Sequence, residues 1–281
     1  MPLTLITDHP AWSDGPHGQR VRLVAYQGAP WYAVCSPTQA LTLRPLGAGG
    51  DGQGPPVLSV ASDVLPTART ATTLVKWLAW LGTVQRLTNP CLWDAITTAI
   101  LRQVVRAEQA RRVYRAWCQE HGPTVPAPAG RLSLCPDPDT VLGLSEEQFA
   151  ATGTAFHRTA LRAAARAYRE HHRTWERLSA DDLVKALQEV PRIGPWTAAA
   201  AAADYTGDFA VYPHGDLAVR TWARRADPEH PFPDGERAFS AYWRRLANED
   251  RTRLHALTLF TLTWGNHVRT AQPGDTAHPP V

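Results

Sequence analysis

The stretch from Leu183 to Tyr205 constrains this chain more than any other. Leu183, Leu187 and Val190 recur at helical spacing, and Ser179 stands where an N-cap belongs, with Asp182 three residues on in a capping-box-like arrangement. Pro191 ends that helix, because proline has no N–H to donate and clashes with the turn before it. Pro195 suits the first turn of a second helix, where an N–H has no intrahelical partner in any case. Ile193 and Gly194 lie in the bend, where Gly194 can take positive φ and has no side chain. The pattern predicts helix, tight hairpin and alanine-rich helix (Ala198 to Ala203). Free N–H groups at the start of the second helix suit a phosphate. An ordinary pair of antiparallel helices with a proline stop is the other reading of the same residues.

A carboxylate narrows the choice. Asp216 follows Trp196 by 20 residues, behind the breakers Pro213 and Gly215 and ahead of Leu217-Ala-Val-Arg-Thr-Trp-Ala, which can resume a helix. Val190-Pro-Arg-Ile-Gly-Pro-Trp-Thr-Ala198 resembles the Leu-Pro-Gly-Ile-Gly-x-Trp-Thr-Ala hairpin of the helix-hairpin-helix DNA glycosylase superfamily. Pro213-His-Gly-Asp-Leu-Ala-Val-Arg220 resembles its Pro-x-x-Asp-Leu segment. The combination at this separation is far more specific than either half, and it resembles the bacterial 3-methyladenine DNA glycosylase II branch. The resemblance spans roughly residues 86 to 268.

The rest of the chain divides by pattern. Residues 1–66 carry short β-like runs at Val21–Tyr26, Trp31–Cys35, Ala40–Pro45 and Val57–Val60, and predict one antiparallel β unit. A glycine-rich connection from Gly47 to Pro56 is expected to be mobile. Residues 67–269 turn helical and are expected to form the glycosylase domain, as two helical lobes with a cleft between them. Residues 270–281, rich in Pro, Gly and His, are expected to be a disordered tail. The fold class is therefore α+β, mostly α. Within the helical part, Asn89 and Pro90 are expected to open a helix running to Val105. The proline-rich link Pro123 to Pro138 is expected to be a surface loop, and Ser145 to cap a short helix. Arg158, Arg162, Arg166 and Arg169 recur every three to four residues, a face read as solvated rather than DNA-binding.

Charge and cysteines exclude several classes. Net charge is +3, with 29 Lys and Arg against 26 Asp and Glu, which permits nucleic-acid binding without demanding it. Lys76 and Lys185 are the only lysines; arginine, which grips phosphate bidentately, supplies the rest. Cys35, Cys91, Cys118 and Cys135 form no metal-binding spacing. Some members of the family carry a four-cysteine iron–sulfur loop after the catalytic helix, but no cysteine follows Cys135. No cofactor is expected, and the one ion left open is a monovalent cation on hairpin carbonyls. With no signal or membrane-length apolar run, a cytoplasmic, nucleoid-associated monomer is expected.

The resemblance implies roles residue by residue. Asp216 would be the catalytic carboxylate, with a simple helix cap as its bland alternative. Arg192, Ile193, Gly194 and Thr197 would hold the DNA backbone. Gln103 and Val104 would be the wedge in the base stack, Arg102 standing where the family has glycine. Trp196, Ala200 and Trp264 would line the base pocket. Bifunctional members place a lysine where Trp196 stands, which implies a monofunctional enzyme here. Ala200 replaces an aromatic of the alkylation branch and implies a roomier pocket. The expected partner is duplex DNA with damaged bases, and the expected activity is release of alkylated purines. Release of oxidised purines, or DNA binding without catalysis, stays open.

Overall fold

The computed structural model describes residues 2–47, 53–67 and 69–270. In chain order the first half contains β1 (Leu3–Leu5), β2 (Ser13–Asp14), β3 (Arg20–Tyr26), β4 (Ala29–Cys35), β5 (Leu41–Pro45), β6 (Val57–Ala61), α1 (Thr72–Trp80), β7 (Thr83–Leu87), α2 (Leu92–Leu101), α3 (Ala107–His121), β8 (Thr124–Ala127) and β9 (Gly130–Ser133). The second half is helical: α4 (Pro138–Gly143), α5 (Glu146–Ala151), α6 (Arg158–Trp175), α7 (Ala180–Gln188), α8 (Pro195–Thr206), α9 (Leu217–Ala226), α10 (Glu236–Leu246) and α11 (Arg251–Thr270). The architecture is α+β and mostly helical. Residues 48–52, the centre of the glycine-rich connection, and the tail 271–281 lie outside the described residues.

Two compact units share the chain. The first draws on residues 1–8, 57–87 and 208–281, the second on 9–56 and 88–207. Compactness thus cuts across the composition boundary at residue 66. The β-like runs do not make one sheet either. β2 to β5 form a four-stranded antiparallel sheet in the second unit, whereas β6 pairs with β7 and β7 with β1 in the first. The β1–β7 pairing is parallel, with Leu3 opposite Thr83. A register of this kind joins strands 80 residues apart and leaves no local signature.

The first unit packs α1, α9, α10 and α11 around Leu74, Leu78, Phe239, Trp243, Leu257 and Phe260, all buried. Asp208 anchors its returning chain. Arg251 donates to Asp208 Oδ2 through Nε and Nη2 (3.2 and 2.6 Å), and the Ala210 N–H donates to Oδ1 (2.9 Å). Burial opposes ionisation of Asp208, but His255, Arg251 and the Ala210 N–H outweigh it and hold the carboxyl well below the usual range.

In the second unit a buried polar cluster joins sheet to helices. Asn89 Nδ2 donates to Asp94 (3.1 Å) and Asp204 (2.9 Å), and Tyr114 donates to Asp94 (2.7 Å). Arg22 of β3 lies 3.7 Å from Asp94, and His9 approaches Asp94, Asn89 and Thr98. Burial pushes the Asp94 carboxyl up, opposed by Arg22 and the Tyr114 hydroxyl. Asn89 is therefore a core residue, and Cys91 takes the N-cap position of α2. The proline-rich link is also structured: β8 and β9 pair as a hairpin, and Asp137 caps α4 through the Thr140 N–H (2.7 Å). Ser145 caps α5 in a full capping box with Gln148. The arginine face of α6 is partly solvated, with Arg166 and Arg169 exposed; along it Arg158 pairs with Glu146, Arg169 with Asp139, and Arg162 donates to the Leu144 carbonyl.

α8 is buried along Ala198 to Ala203, packed chiefly on α2 and α7. Only small side chains let it sit that close. Ala202→Leu should cost about 1–3 kcal/mol through overpacking, read as a lower urea midpoint. Stability should also fall as pH drops through the carboxylate range, because a carboxyl with a depressed folded pKa stabilises only above its unfolded pKa. In Asp208→Asn that acid loss should be shallower, read from unfolding midpoints between neutral pH and pH ~3.

Candidate functional site

The hairpin forms as the sequence predicts, with one exchange of roles. Ser179 accepts the Asp182 N–H (3.2 Å) and caps α7. Pro195 opens α8, and Gly207, at φ 76°, closes it. The positive φ of the bend falls on Arg192 (72°), not on Gly194, whose φ is −84°. Arg192 stands where the hairpin that the sequence resembles has its first glycine. An L-residue there costs about 1–2 kcal/mol. Gly194 is exposed, and a Cβ added to it would meet nothing within 4 Å. Nothing inside the protein requires a glycine there. What the missing Cβ leaves open is the outer surface, where a partner can approach the backbone.

The other hairpin residues differ in what they offer. Arg192 is exposed. Ile193 is buried and its N–H is taken by the Val190 carbonyl (3.0 Å). Thr197 is buried, and its hydroxyl accepts from Gln103 Nε2 (2.6 Å). Gln103 also reaches the Arg192 carbonyl (3.4 Å), so it braces the bend from the end of α2. The outer face of the hairpin is thus left to Arg192, Gly194 and the first turn of α8. Next to Gln103, Val104 is 91% exposed with φ 61°. A β-branched residue in the left-handed region is an outlier, and an exposed one has no packing to account for it.

Asp216 is the N-cap of α9. Its Oδ2 accepts the Ala218 N–H (3.2 Å) and the Tyr212 hydroxyl (3.3 Å). The half-buried carboxylate sits on a turn closed by the Asp216 N–H to the Pro213 carbonyl (2.9 Å). Gly215 is required here, since a Cβ would strike Glu236 and Ser240 of α10. Burial holds the His214 imidazole down at about 4, so this ring is neutral at neutral pH. Tyr212 was not legible as a site residue; its signal is an aromatic hydroxyl one helical turn's spacing before the aspartate.

Of the residues expected to line a base pocket, Trp196 is half-buried in the first turn of α8 and Ala200 is buried one turn on. Trp264 is buried on α11, its ring 6.3 Å from that of Trp77. The hairpin, Gln103, Val104, Trp196 and Ala200 belong to the second unit; Asp216 and Trp264 belong to the first. Among the described residues no group of three His, Cys, Asp or Glu could hold a metal ion, and no helix is long and apolar enough to cross a membrane.

No protein-family model matches the sequence, and no curated protein does. Solved structures do. The chain is similar to MBOgg1 in complex with a low-affinity DNA ligand (12% identity, TM-score 0.71, covering 94% of this chain and 90% of that one). It is similar to the 3-methyladenine DNA glycosylase of Archaeoglobus fulgidus (15%, 0.68, 94% and 92%). It is also similar to the Clostridium acetobutylicum 8-oxoguanine glycosylase/lyase bound to duplex DNA with cytosine opposite 8-oxoguanine (10%, 0.69, 94% and 90%). The fold of this chain is that of the helix-hairpin-helix DNA glycosylases.

Proposed function

We propose that the chain is a monofunctional DNA glycosylase that releases alkylated purines from duplex DNA. The observation that carries this is Asp216: an N-cap carboxylate with two donors on it, in a chain with the glycosylase fold over nine-tenths of its length. The damaged nucleotide is turned out of the stack, and Val104 enters the gap. Arg192 and the backbone around Gly194 grip a neighbouring phosphate, which fixes register without reading sequence. As the C1′–N bond breaks, its electron pair leaves with the base and the sugar becomes oxocarbenium-like. Asp216 stabilises that cation, water adds to C1′, and its proton passes to the carboxylate or to solvent. A preorganised charge of this kind is worth ~3–4 kcal/mol.

Trp196 supports the monofunctional reading, since an indole cannot form the Schiff base that a lysine would. Its face also suits a cationic alkylpurine, by ~0.5–2 kcal/mol. Ala200, one turn on in the same helix, stands in place of an aromatic and favours bulkier adducts. The likeness to the 8-oxoguanine glycosylase/lyase favours a second substrate, an oxidised purine. The protein acts as a monomer in the cytoplasm, on nucleoid DNA.

A base-release assay over alkylated, oxidised and deaminated duplexes tests the substrate. Alkylated purine should be released fastest, and borohydride should trap no enzyme–DNA adduct; trapping would end the monofunctional reading. Asp216→Asn should lower single-turnover release by about 10²–10³ while duplex affinity stays within about threefold. If that variant cuts at the wild-type rate, Asp216 is only a cap. Val104→Ser should weaken lesion-duplex affinity more than affinity for an already single-stranded abasic site, read by fluorescence anisotropy.

A further inference from the structure

The first unit contains a cavity of about 590 Å³ outside every residue given a role above. Thr67, Arg69 and Thr70 line it from the segment before α1, and Arg245, Leu246 and Asn248 from the end of α10 and the turn after it. Two guanidiniums, two hydroxyls and one amide face a single space. No carboxylate lines it. All five polar side chains are exposed, and among the described residues none has a hydrogen-bond or ion-pair partner within the protein, so their donors are open to a ligand from solvent.

Ordinary helix electrostatics accounts for part of this. Arg245 lies in the last turn of α10, where a cation complements the helix dipole. Arg69 precedes a helix N-terminus, the unfavourable end for a cation, so the dipole explains nothing there. The N-terminus of α1 is itself engaged, because the Leu74 N–H donates to Asp227 (3.2 Å). The site therefore rests on side chains. With no aromatic surface for a base to stack on, it can recognise only the charged part of a nucleotide.

We propose that this cavity binds a phosphate group, gripped by Arg69 and Arg245 and oriented by Thr67, Thr70 and Asn248. Arginine pairs match phosphate oxygens bidentately, and threonine hydroxyls and an amide N–H fill the remaining lone pairs. The phosphate is either a free one or a diester of a DNA backbone, and the chemistry on the protein side is the same.

Calorimetric titration of the full chain with inorganic pyrophosphate, and separately with a short undamaged duplex, tests this. Wild type is compared with Arg69→Gln/Arg245→Gln and with Thr70→Val, which removes a hydroxyl without touching charge. A free-phosphate site predicts pyrophosphate binding at least about tenfold weaker in the double variant and about threefold weaker in Thr70→Val, with duplex binding unchanged. A backbone site predicts weaker duplex binding in both, and in the double variant a salt dependence of log K shallower by ~0.9 for the one phosphate lost. If neither ligand distinguishes either variant from wild type, there is no site. Base release is not the readout, so a failed glycosylase assay leaves this test intact.

Discussion

Asn89 is the residue on which the second unit turns. Its side-chain amide donates to carboxylates of α2 and α8, and its backbone N–H donates to the Asp204 carbonyl. Asp94 is held in turn by Tyr114 and faces Arg22 from the antiparallel sheet. A buried cluster of this kind is weak testimony to net stability but strict about geometry, because each charge is tolerable only while its partners stay in place. Losing one partner leaves a desolvated charge, which typically costs about 3–5 kcal/mol. The cluster fixes the C-terminal end of α8 against the N-terminal end of α2, and so sets the line along which α8 runs to the hairpin.

The opposite ends of the same two helices meet at the bend. Gln103 follows α2 and braces the bend through Thr197 and the Arg192 carbonyl. The alanines of α8 bring the helices close enough for that contact, so their smallness serves packing first. With the bend braced, Arg192 can be held in a left-handed conformation that a free loop would leave. Val104 is strained beside it and almost wholly exposed. Strain, bracing and exposure meet within a few residues, as they do where a rigid surface must meet a partner.

In the first unit the aspartate segment is organised by its neighbours rather than by its own sequence. Asp208 anchors the chain through Arg251, Gly215 lets the turn lie against α10, and Tyr212 reaches the Asp216 carboxylate. The Tyr212 hydroxyl and the Ala218 N–H both meet Oδ2 of Asp216, so one carboxylate oxygen caps α9 and ties it to the segment before.

What the sequence determined is local. Prolines at 191 and 195, the cap at Ser179, the capping box at Ser145 and the aspartate behind Pro213 and Gly215 act over a few residues, and each stands where its chemistry requires. The fold class and the hairpin followed from them. Tertiary structure decided what depends on distant partners: the parallel pairing of Leu3 with Thr83, the move of β6 out of the antiparallel sheet, and the burial of Asn89 where a helix cap was expected. It also buried the Thr197 hydroxyl on Gln103 and put the positive φ on Arg192. Periodicity and capping rules see only the energy of a segment against water, whereas these outcomes were set by groups brought together from tens of residues away.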